Sequence, residues 1–417
     1  MEQTRKQKIM NAIFIGTLCS VSYLAVYFAR NILGAVTAQM KLEGFDEGFF
    51  GTTSSVYFIC YAIGQLINGA IGDKIKARYM ISFGLLLAGI SNLIFAKIAH
   101  MQNIAFVAYG FTGFFLAMIY GPMTKVVAEN TEPVYATRCS LGYTFASFFG
   151  SPLAGVVATL AAWQTVFTMS SIFLFIMAVM CFSVFLFFEK KGIIKYNQYK
   201  IQKKKGGNIK VLIKHRIVKF SFISILTGVV RTTVVFWLTL YITEYLGFSE
   251  KVSPSIYSAV TLIISFSAFI SIFIYELLKR NMDLNILIMF TSSTICFLGA
   301  YLVKHPIVNI IFITLAILSS NGAASMLWSR YCPSLRDTGM VSGATGFLDC
   351  LSYIAAAVSS TLFANAVPVL GWGNLILIWA GLMLLGVIVA LPYHKFKKQV
   401  VLETNNDNTT QEITNEE

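Results

Sequence analysis

Two arginines, Arg30 and Arg231, lie inside long apolar stretches, one in each half of the chain. A guanidinium group does not release its proton, so in an apolar environment it needs a partner, a water-filled cavity or a ligand. Its planar fork of donors can bind two oxygens of a phosphate or a carboxylate at once. If both halves place these residues at the same depth, the pair predicts a binding site for an anion.

One carboxylate, Asp349, also lies in an apolar stretch, four residues before Tyr353. That spacing puts the two side chains on the same face of a helix. An ionisable group inside a membrane segment is a functional candidate. Four alternatives stay open for Asp349: a counter-ion for an arginine, a ligand for the ammonium of a zwitterionic substrate, a carrier of a coupling proton, or an inert residue near a helix end.

The composition indicates a membrane protein. Of the 417 residues, 56% are hydrophobic and 12% are charged, and the mean hydropathy is +0.70. Backbone groups in lipid must satisfy their hydrogen bonds internally, so apolar stretches of about twenty residues are read as helices. We predict an all-α membrane protein with transmembrane helices at about 10–37, 48–71, 79–98, 103–125, 139–160, 165–188, 217–245, 254–277, 284–303, 307–328, 340–364 and 371–392.

The net charge of +13 comes from lysine and arginine clusters between the predicted helices and near the ends of the chain. Every cluster falls on the same side of a twelve-helix arrangement. By the positive-inside rule that side is cytoplasmic, so we expect both termini in the cytoplasm. The charge is then a topology signal with some contact to anionic lipid, and its distribution argues against nucleic-acid binding.

The chain divides into two halves that share a weak repeat. Arg30 is followed by Gly-Phe-Asp-Glu ending at Glu47, and Arg231 is followed by Gly-Phe-Ser-Glu ending at Glu250. Six helices per half in the same orientation is similar to the parallel repeat of major facilitator transporters, whose substrate sites lie at the midplane. We predict six-helix bundles at 1–188 and 217–394, a basic cytoplasmic loop at 189–216, and a cytoplasmic tail at 395–417.

The loop Gly-Ala-Ile-Gly-Asp-Lys-Ile-Lys-Ala-Arg, between predicted helices 2 and 3, resembles the signature loop of the major facilitator superfamily. Its glycines permit close helix approach, and its acid with the neighbouring bases can hold one conformation of the cytoplasmic face. The resemblance implies a conformational latch that includes Gly69, Asp73, Lys74 and Arg78. The alternative is a solvated turn that carries only the topology signal.

The segment Tyr-Leu-Ala-Val-Tyr-Phe-Ala-Arg-Asn, which contains Arg30, resembles helix 1 of the organophosphate:phosphate antiporter family, and the likeness runs through most of the chain at low identity. The resemblance implies that Arg30 and Arg231 bind phosphate. Gln65 and Ser147 stand where the family's glycerol-phosphate transporters have a lysine and a histidine. With Asp349, at a position that is usually small and uncharged in the family, the expected substrate site comprises Arg30, Arg231, Tyr23, Tyr27, Tyr61, Tyr120, Tyr353, Asp349, Gln65 and Ser147.

This resemblance implies a secondary transporter that exchanges an organophosphate for inorganic phosphate by alternating access. The alternatives are a proton-coupled symporter of an organic carboxylate such as a sugar acid, and a membrane sensor of sugar phosphate. The sequence has no phosphate-binding loop for ATP, metal-ligand cluster or nucleophile–base signature, so we expect neither an enzyme nor a cofactor. We expect a monomer in the inner (plasma) membrane, with a small anionic substrate and with phosphate or a proton as the coupling ion.

Overall fold

The computed structural model describes residues 5–72, 75–196, 209–335 and 341–391, which form twelve long helices. These are α1 (Arg5–Leu42), α2 (Glu47–Gly72), α3 (Ala77–Ile98), α4 (Gln102–Asn130), α5 (Pro133–Phe148 continued by Gly150–Leu160), α6 (Trp163–Lys190), α7 (Ile217–Tyr245), α8 (Ser253–Leu277), α9 (Met282–Leu302), α10 (Pro306–Ser334), and α11 and α12, which are the two arms of Val341–Ala390 on either side of Gly371.

The predicted all-α membrane fold is confirmed. Within the described ranges, nine segments are long and apolar enough to cross a membrane, and the last of them contains both α11 and α12. Most helices extend beyond the predicted apolar stretches because their polar ends continue the helical hydrogen bonding; α5 begins at Pro133, since proline suits the first turn of a helix. The predicted central loop includes a short helix, Ile209–Lys214, whose Leu212 is buried. The bundle boundaries at 1–188 and 217–394 stay a prediction.

The repeat is visible where α1 and α7 end. Gly44 and Gly247 both have left-handed backbone angles, with φ of 92° and 76°. The residue after each glycine bonds back into the helix that has just ended: the Phe45 amide donates to a carbonyl of α1 and the Phe248 amide to a carbonyl of α7, at 3.3 and 3.2 Å. This geometry is the usual glycine stop of a helix, and it turns the chain into α2 and α8 in the same way.

Small residues and hydroxyls join the two halves along three helix pairs. Between α2 and α11, the Ser55 hydroxyl donates to the Ala357 carbonyl at 2.6 Å, and a Cβ added to Gly51 would lie 2.3 Å from the Ala364 Cβ. Thr239 of α7 donates to a carbonyl of α1 at 2.7 Å, and Ser258 of α8 donates to a carbonyl of α5 at the same distance. Close backbone approach through small residues is typical of helix packing in membranes.

We use "basic end" for the end of the molecule at which α1 begins, and "opposite end" for the other. At the opposite end, the Lys41 ammonium forms ion pairs with Glu47 of α2 and with Glu244 of α7. The Trp372 indole of α12 donates to the second oxygen of Glu244 at 2.9 Å. These four residues form the opposite-end ion cluster, which joins the two halves of the chain.

Ion pairs at the basic end have a different arrangement. Arg78 of α3 pairs with Glu189 of α6 at 2.8 Å, and Asp283 of α9 pairs with Arg216 and Lys219 near the start of α7, at 2.9 and 3.2 Å. Each of these pairs joins segments of the same half. Among the described residues, the ion pair that joins the two halves, Lys41 with Glu244, therefore lies at the opposite end, where the molecule is closed.

We predict that Lys41→Gln weakens closure of the opposite end, because it removes the ammonium that links the two glutamates. A partly exposed ion pair contributes about 1 kcal/mol or less, so a cysteine placed at buried Thr37 should react up to roughly fivefold faster with a membrane-impermeant thiol reagent. Thr37 lies between Gly34 and Lys41 on one face of α1.

The matched control is Lys304→Gln, which removes an exposed lysine close to the start of α10 at the same end. Labelling of protein without the Thr37→Cys change gives the background from the native cysteines. Equal labelling rates for Lys41→Gln and Lys304→Gln would show that the ion cluster does not contribute to closure.

Candidate anion-binding cavity

A cavity of about 510 Å³ lies between the halves and is lined by eight helices: α1, α2, α4, α5, α7, α8, α10 and α11. It includes residues near the basic ends of α2 and α10, Gln65 and Pro333, so it extends toward that end. All ten residues of the expected substrate site line it: Arg30, Arg231, Tyr23, Tyr27, Tyr61, Tyr120, Tyr353, Asp349, Gln65 and Ser147.

Arg30 is held by tyrosines from three helices. Its Nη1 donates to the Tyr353 hydroxyl of α11 at 2.6 Å. Its guanidinium carbon lies 4.8 Å from the Tyr353 ring centroid, 5.3 Å from that of Tyr27 and 5.4 Å from that of Tyr61. Aromatic faces attract a cation without neutralising it. The arginine therefore keeps its full positive charge in the cavity.

Arg231 lies in a π-helical turn of α7, Val229–Val234. Such turns are rare and are found frequently at functional sites. The neighbouring Thr233 hydroxyl donates to the Ala356 carbonyl of α11 at 3.1 Å, which fixes the turn against that helix. The Nη2 atom of Arg231 is buried and has no hydrogen-bond partner among the residues that the structure describes. Arg231 as a whole lines the cavity.

Gly228 explains how α7 approaches α11 so closely. A Cβ at this position would lie 2.5 Å from the Ser352 hydroxyl oxygen and 2.7 Å from the Ser352 carbonyl oxygen. One turn toward the basic end, Ser224 donates to the Leu348 carbonyl at 2.7 Å. This contact brings Arg231 next to the face of α11 that carries Asp349 and Tyr353.

Asp349 lies in the same cavity as both arginines. In the described part of the chain, no ion pair joins Asp349 to either arginine. Arg30, Arg231 and Asp349 are the charged side chains of the described cavity lining, which therefore carries one net positive charge when the carboxylate is ionised.

Aromatic rings and small polar groups form the rest of the wall. The Tyr23 ring lies 5.0 Å from that of Tyr27 and 5.4 Å from that of Tyr120, measured between centroids. Sequence reasoning missed several lining residues, among them Thr232, Trp328 and Thr345. Only Thr232 had a sequence signal, because it follows Arg231 directly. Isolated polar residues and tryptophans elsewhere in apolar helices do not reveal which way they face.

The expected latch is only partly within the described residues. Asp73 and Lys74 lie outside them, and Gly69 falls in the last turn of α2. Arg78 donates from Nη1 to Glu189 at 2.8 Å and from Nη2 to the Tyr79 hydroxyl at 2.7 Å. Arg78 thus connects α3 to α6, and the latch stays a prediction.

Neither the cysteines nor other ligand types form a metal centre in the described ranges. No group of three or more histidine, cysteine, aspartate or glutamate side chains is placed to hold a metal ion there. The seven cysteines are free thiols. The polar groups of the described cavity lining are guanidinium, carboxylate, hydroxyl, amide, indole and thiol groups.

The family model described as the Major Facilitator Superfamily matches residues 19–360. The chain belongs to the Major Facilitator Superfamily. Two solved structures share this fold over nearly the whole chain. The D-xylose–proton symporter superposes with a TM-score of 0.71 over 92% of this chain and 98% of that chain, at 15% identity. A bacterial homologue of the lysosomal transporter Spinster also gives 0.71, over 91% and 94%, at 11% identity.

Among curated superfamily members, this chain is similar to the glycerol-3-phosphate transporter of Bacillus subtilis, with 23% identity over 265 residues. The match covers 57% of this chain and 59% of that protein. The probable hexose phosphate transport protein of Chlamydia trachomatis is 22% identical over 164 residues, which are 38% of this chain and 34% of that protein. The chain therefore spans about three fifths of the length of the first relative and about one third of the length of the second.

We predict that Gly228→Ala destabilises the protein by about 1–3 kcal/mol, because the added methyl group overlaps Ser352 of α11. Thermal unfolding of the detergent-purified protein measures the effect. Gly381→Ala, in α12, is the matched control, since a Cβ there meets nothing within 4 Å. If both variants unfold at the same temperature as wild type, the close α7–α11 contact is not required.

Proposed function

We propose that this member of the Major Facilitator Superfamily is a secondary transporter that exchanges a small organophosphate for inorganic phosphate. The observation that carries the proposal is that Arg30 of α1 and Arg231 of α7, one from each half, line a single cavity. The names of the two curated relatives, which refer to glycerol-3-phosphate and hexose phosphate, support phosphate as the bound group.

Arginine pairs suit a phosphate for physical reasons. Each hydrogen bond from a guanidinium to a charged oxygen contributes roughly 1.5–3 kcal/mol, and the fork geometry binds two oxygens at once. Arg231 has a buried donor without a described partner, and Arg30 is fixed by a neutral hydroxyl that leaves its charge uncompensated. Tyrosine hydroxyls around the cavity add uncharged donors to the remaining oxygens.

The position of the arginines also suits alternating access. An anion that binds both side chains connects α1 to α7 and draws the halves together around the cavity. The opposite-end ion cluster closes one side, while the cavity extends toward the basic end. Without a bound anion the described cavity lining keeps one net positive charge when Asp349 is ionised, which favours crossing of the loaded carrier over the unloaded one and thus exchange. We expect the basic end to face the cytoplasm.

Phosphate counterflow in proteoliposomes tests this proposal. Vesicles that contain the purified protein are loaded with unlabelled phosphate or left empty, and uptake of radiolabelled phosphate is followed with and without a pH gradient. Uptake that requires internal phosphate supports exchange. Uptake driven by the pH gradient instead indicates a proton-coupled symporter, and binding without flux indicates a sensor.

We predict that Arg30→Lys and Arg231→Lys each lower phosphate counterflow by at least about tenfold, because an ammonium group cannot replace the bidentate fork and loses one charge-assisted hydrogen bond. Arg280→Lys is the control: it changes an exposed arginine at the basic end that pairs with Glu276. Wild-type counterflow in either cavity variant would contradict the assignment of that arginine.

We predict that Tyr353→Phe raises the phosphate concentration for half-maximal counterflow by roughly two- to tenfold, because it removes a hydrogen bond of about 0.5–1.5 kcal/mol that positions Arg30. The aromatic face against the guanidinium is retained. Tyr57→Phe serves as the control, since the buried Tyr57 hydroxyl has no described hydrogen-bond partner and does not line the cavity. Equal half-saturation values for the two variants would show that the Tyr353 hydroxyl does not position Arg30.

A further inference from the structure

We propose that the organic substrate is zwitterionic: a phosphate or phosphonate whose phosphorus group binds Arg30 and Arg231 and whose ammonium group binds Asp349. This inference rests on the proposed function and adds the chemical class of the substrate. It is carried by the charges of the cavity lining and by the placement of Asp349 relative to Tyr353.

Charge balance favours an ammonium in the substrate. A phosphomonoester carries a charge of about −1.5 to −2 at neutral pH, which two arginines balance by themselves. Asp349 adds a third fixed charge, and its carboxylate lies in a low-dielectric cavity beyond ion-pair distance of both arginines, which is costly. An aminated phosphate has a net charge near −1 and so complements the net positive charge of the three side chains together.

On α11, the residue that bonds Arg30 and the residue proposed to bind the ammonium group lie at different heights along one face. Tyr353 accepts the hydrogen bond from Arg30, and Asp349 lies four residues earlier on the same face of the helix. Side chains four apart on one face are roughly 5–6 Å apart at Cβ. A substrate with a short carbon spacer between phosphorus and nitrogen can therefore reach the arginines with one end and Asp349 with the other.

The cavity that contains Asp349 offers one further acceptor for an ammonium group. Asn321 of α10 lines the same cavity, and its buried side-chain oxygen has no partner among the described residues. The described lining contains no lysine that would supply an internal ammonium. An ammonium from the substrate would thus satisfy both the carboxylate and the amide oxygen.

Paired ligands test the inference without requiring transport. The detergent-purified protein is titrated with 2-aminoethyl phosphate and with ethyl phosphate, and binding is followed by thermal stabilisation. We expect wild type to bind the aminated ligand about tenfold or more tightly. Asp349→Asn should abolish this preference, Asp349→Glu should retain it, and Glu250→Gln, outside the cavity, should leave it unchanged.

The outcomes separate this inference from the proposed function. Preferential binding of the aminated ligand without phosphate counterflow would overturn exchange transport and support the zwitterion site. Counterflow with equal binding of the two ligands by wild type, or an unchanged preference in Asp349→Asn, would overturn the zwitterion site and leave the phosphate site standing. Binding of neither ligand would overturn the inference.

Discussion

The burial of two permanent positive charges between apolar helices is the constraint on which this structure depends. Neither Arg30 nor Arg231 forms an ion pair with a described carboxylate; tyrosine rings and one hydroxyl stabilise the charge of Arg30, and both arginines line the cavity. A bundle sealed around them would leave charge in a low-dielectric interior at a cost of several kcal/mol per ion. The cavity and its aromatic wall follow from this requirement.

One helix connects this electrostatic requirement to the packing. α11 contacts α7 at Gly228 and α2 through hydroxyls, and its Tyr353 accepts a hydrogen bond from Arg30 in the other half of the chain. The same helix face carries Asp349. A displacement of α11 relative to α1 would alter the partner of Arg30 and the contacts between the halves at the same time.

Much of this arrangement could be predicted from the sequence, because its signals are local. Apolar stretches indicated the twelve helices. Tyr23 and Tyr27 precede Arg30 by seven and three residues, which indicated that the three side chains share one face of α1. The matching positions of Arg30 and Arg231 in the two halves indicated a shared site, and the resemblance to a known family added Tyr353. Asp349 was recognised because a carboxylate is conspicuous among apolar neighbours.

Features that depend on distant contacts could not be predicted in this way. The link from Lys41 to Glu244 spans 203 residues of sequence, and charged residues at helix ends have many possible partners. The π-helical turn at Arg231 has no composition signature, since it depends on how Thr233 and Gly228 meet α11. The orientation of Trp328 and Thr345 likewise depends on packing between helices.

The hydroxyls between the halves have a consequence for how readily the two can part. The Ser265 hydroxyl lies 2.7 Å from the Phe148 carbonyl oxygen across the interface and 2.8 Å from the Thr261 carbonyl oxygen of its own helix, so its one hydrogen can be donated to either. Ser54 bonds Ser360 across the interface and the Gly51 carbonyl within α2. A hydroxyl with a second acceptor on its own backbone stays satisfied when its cross-interface partner leaves. Ser54 and Ser265 therefore hold the two halves in register, yet each keeps a hydrogen-bond partner on its own helix when the halves separate.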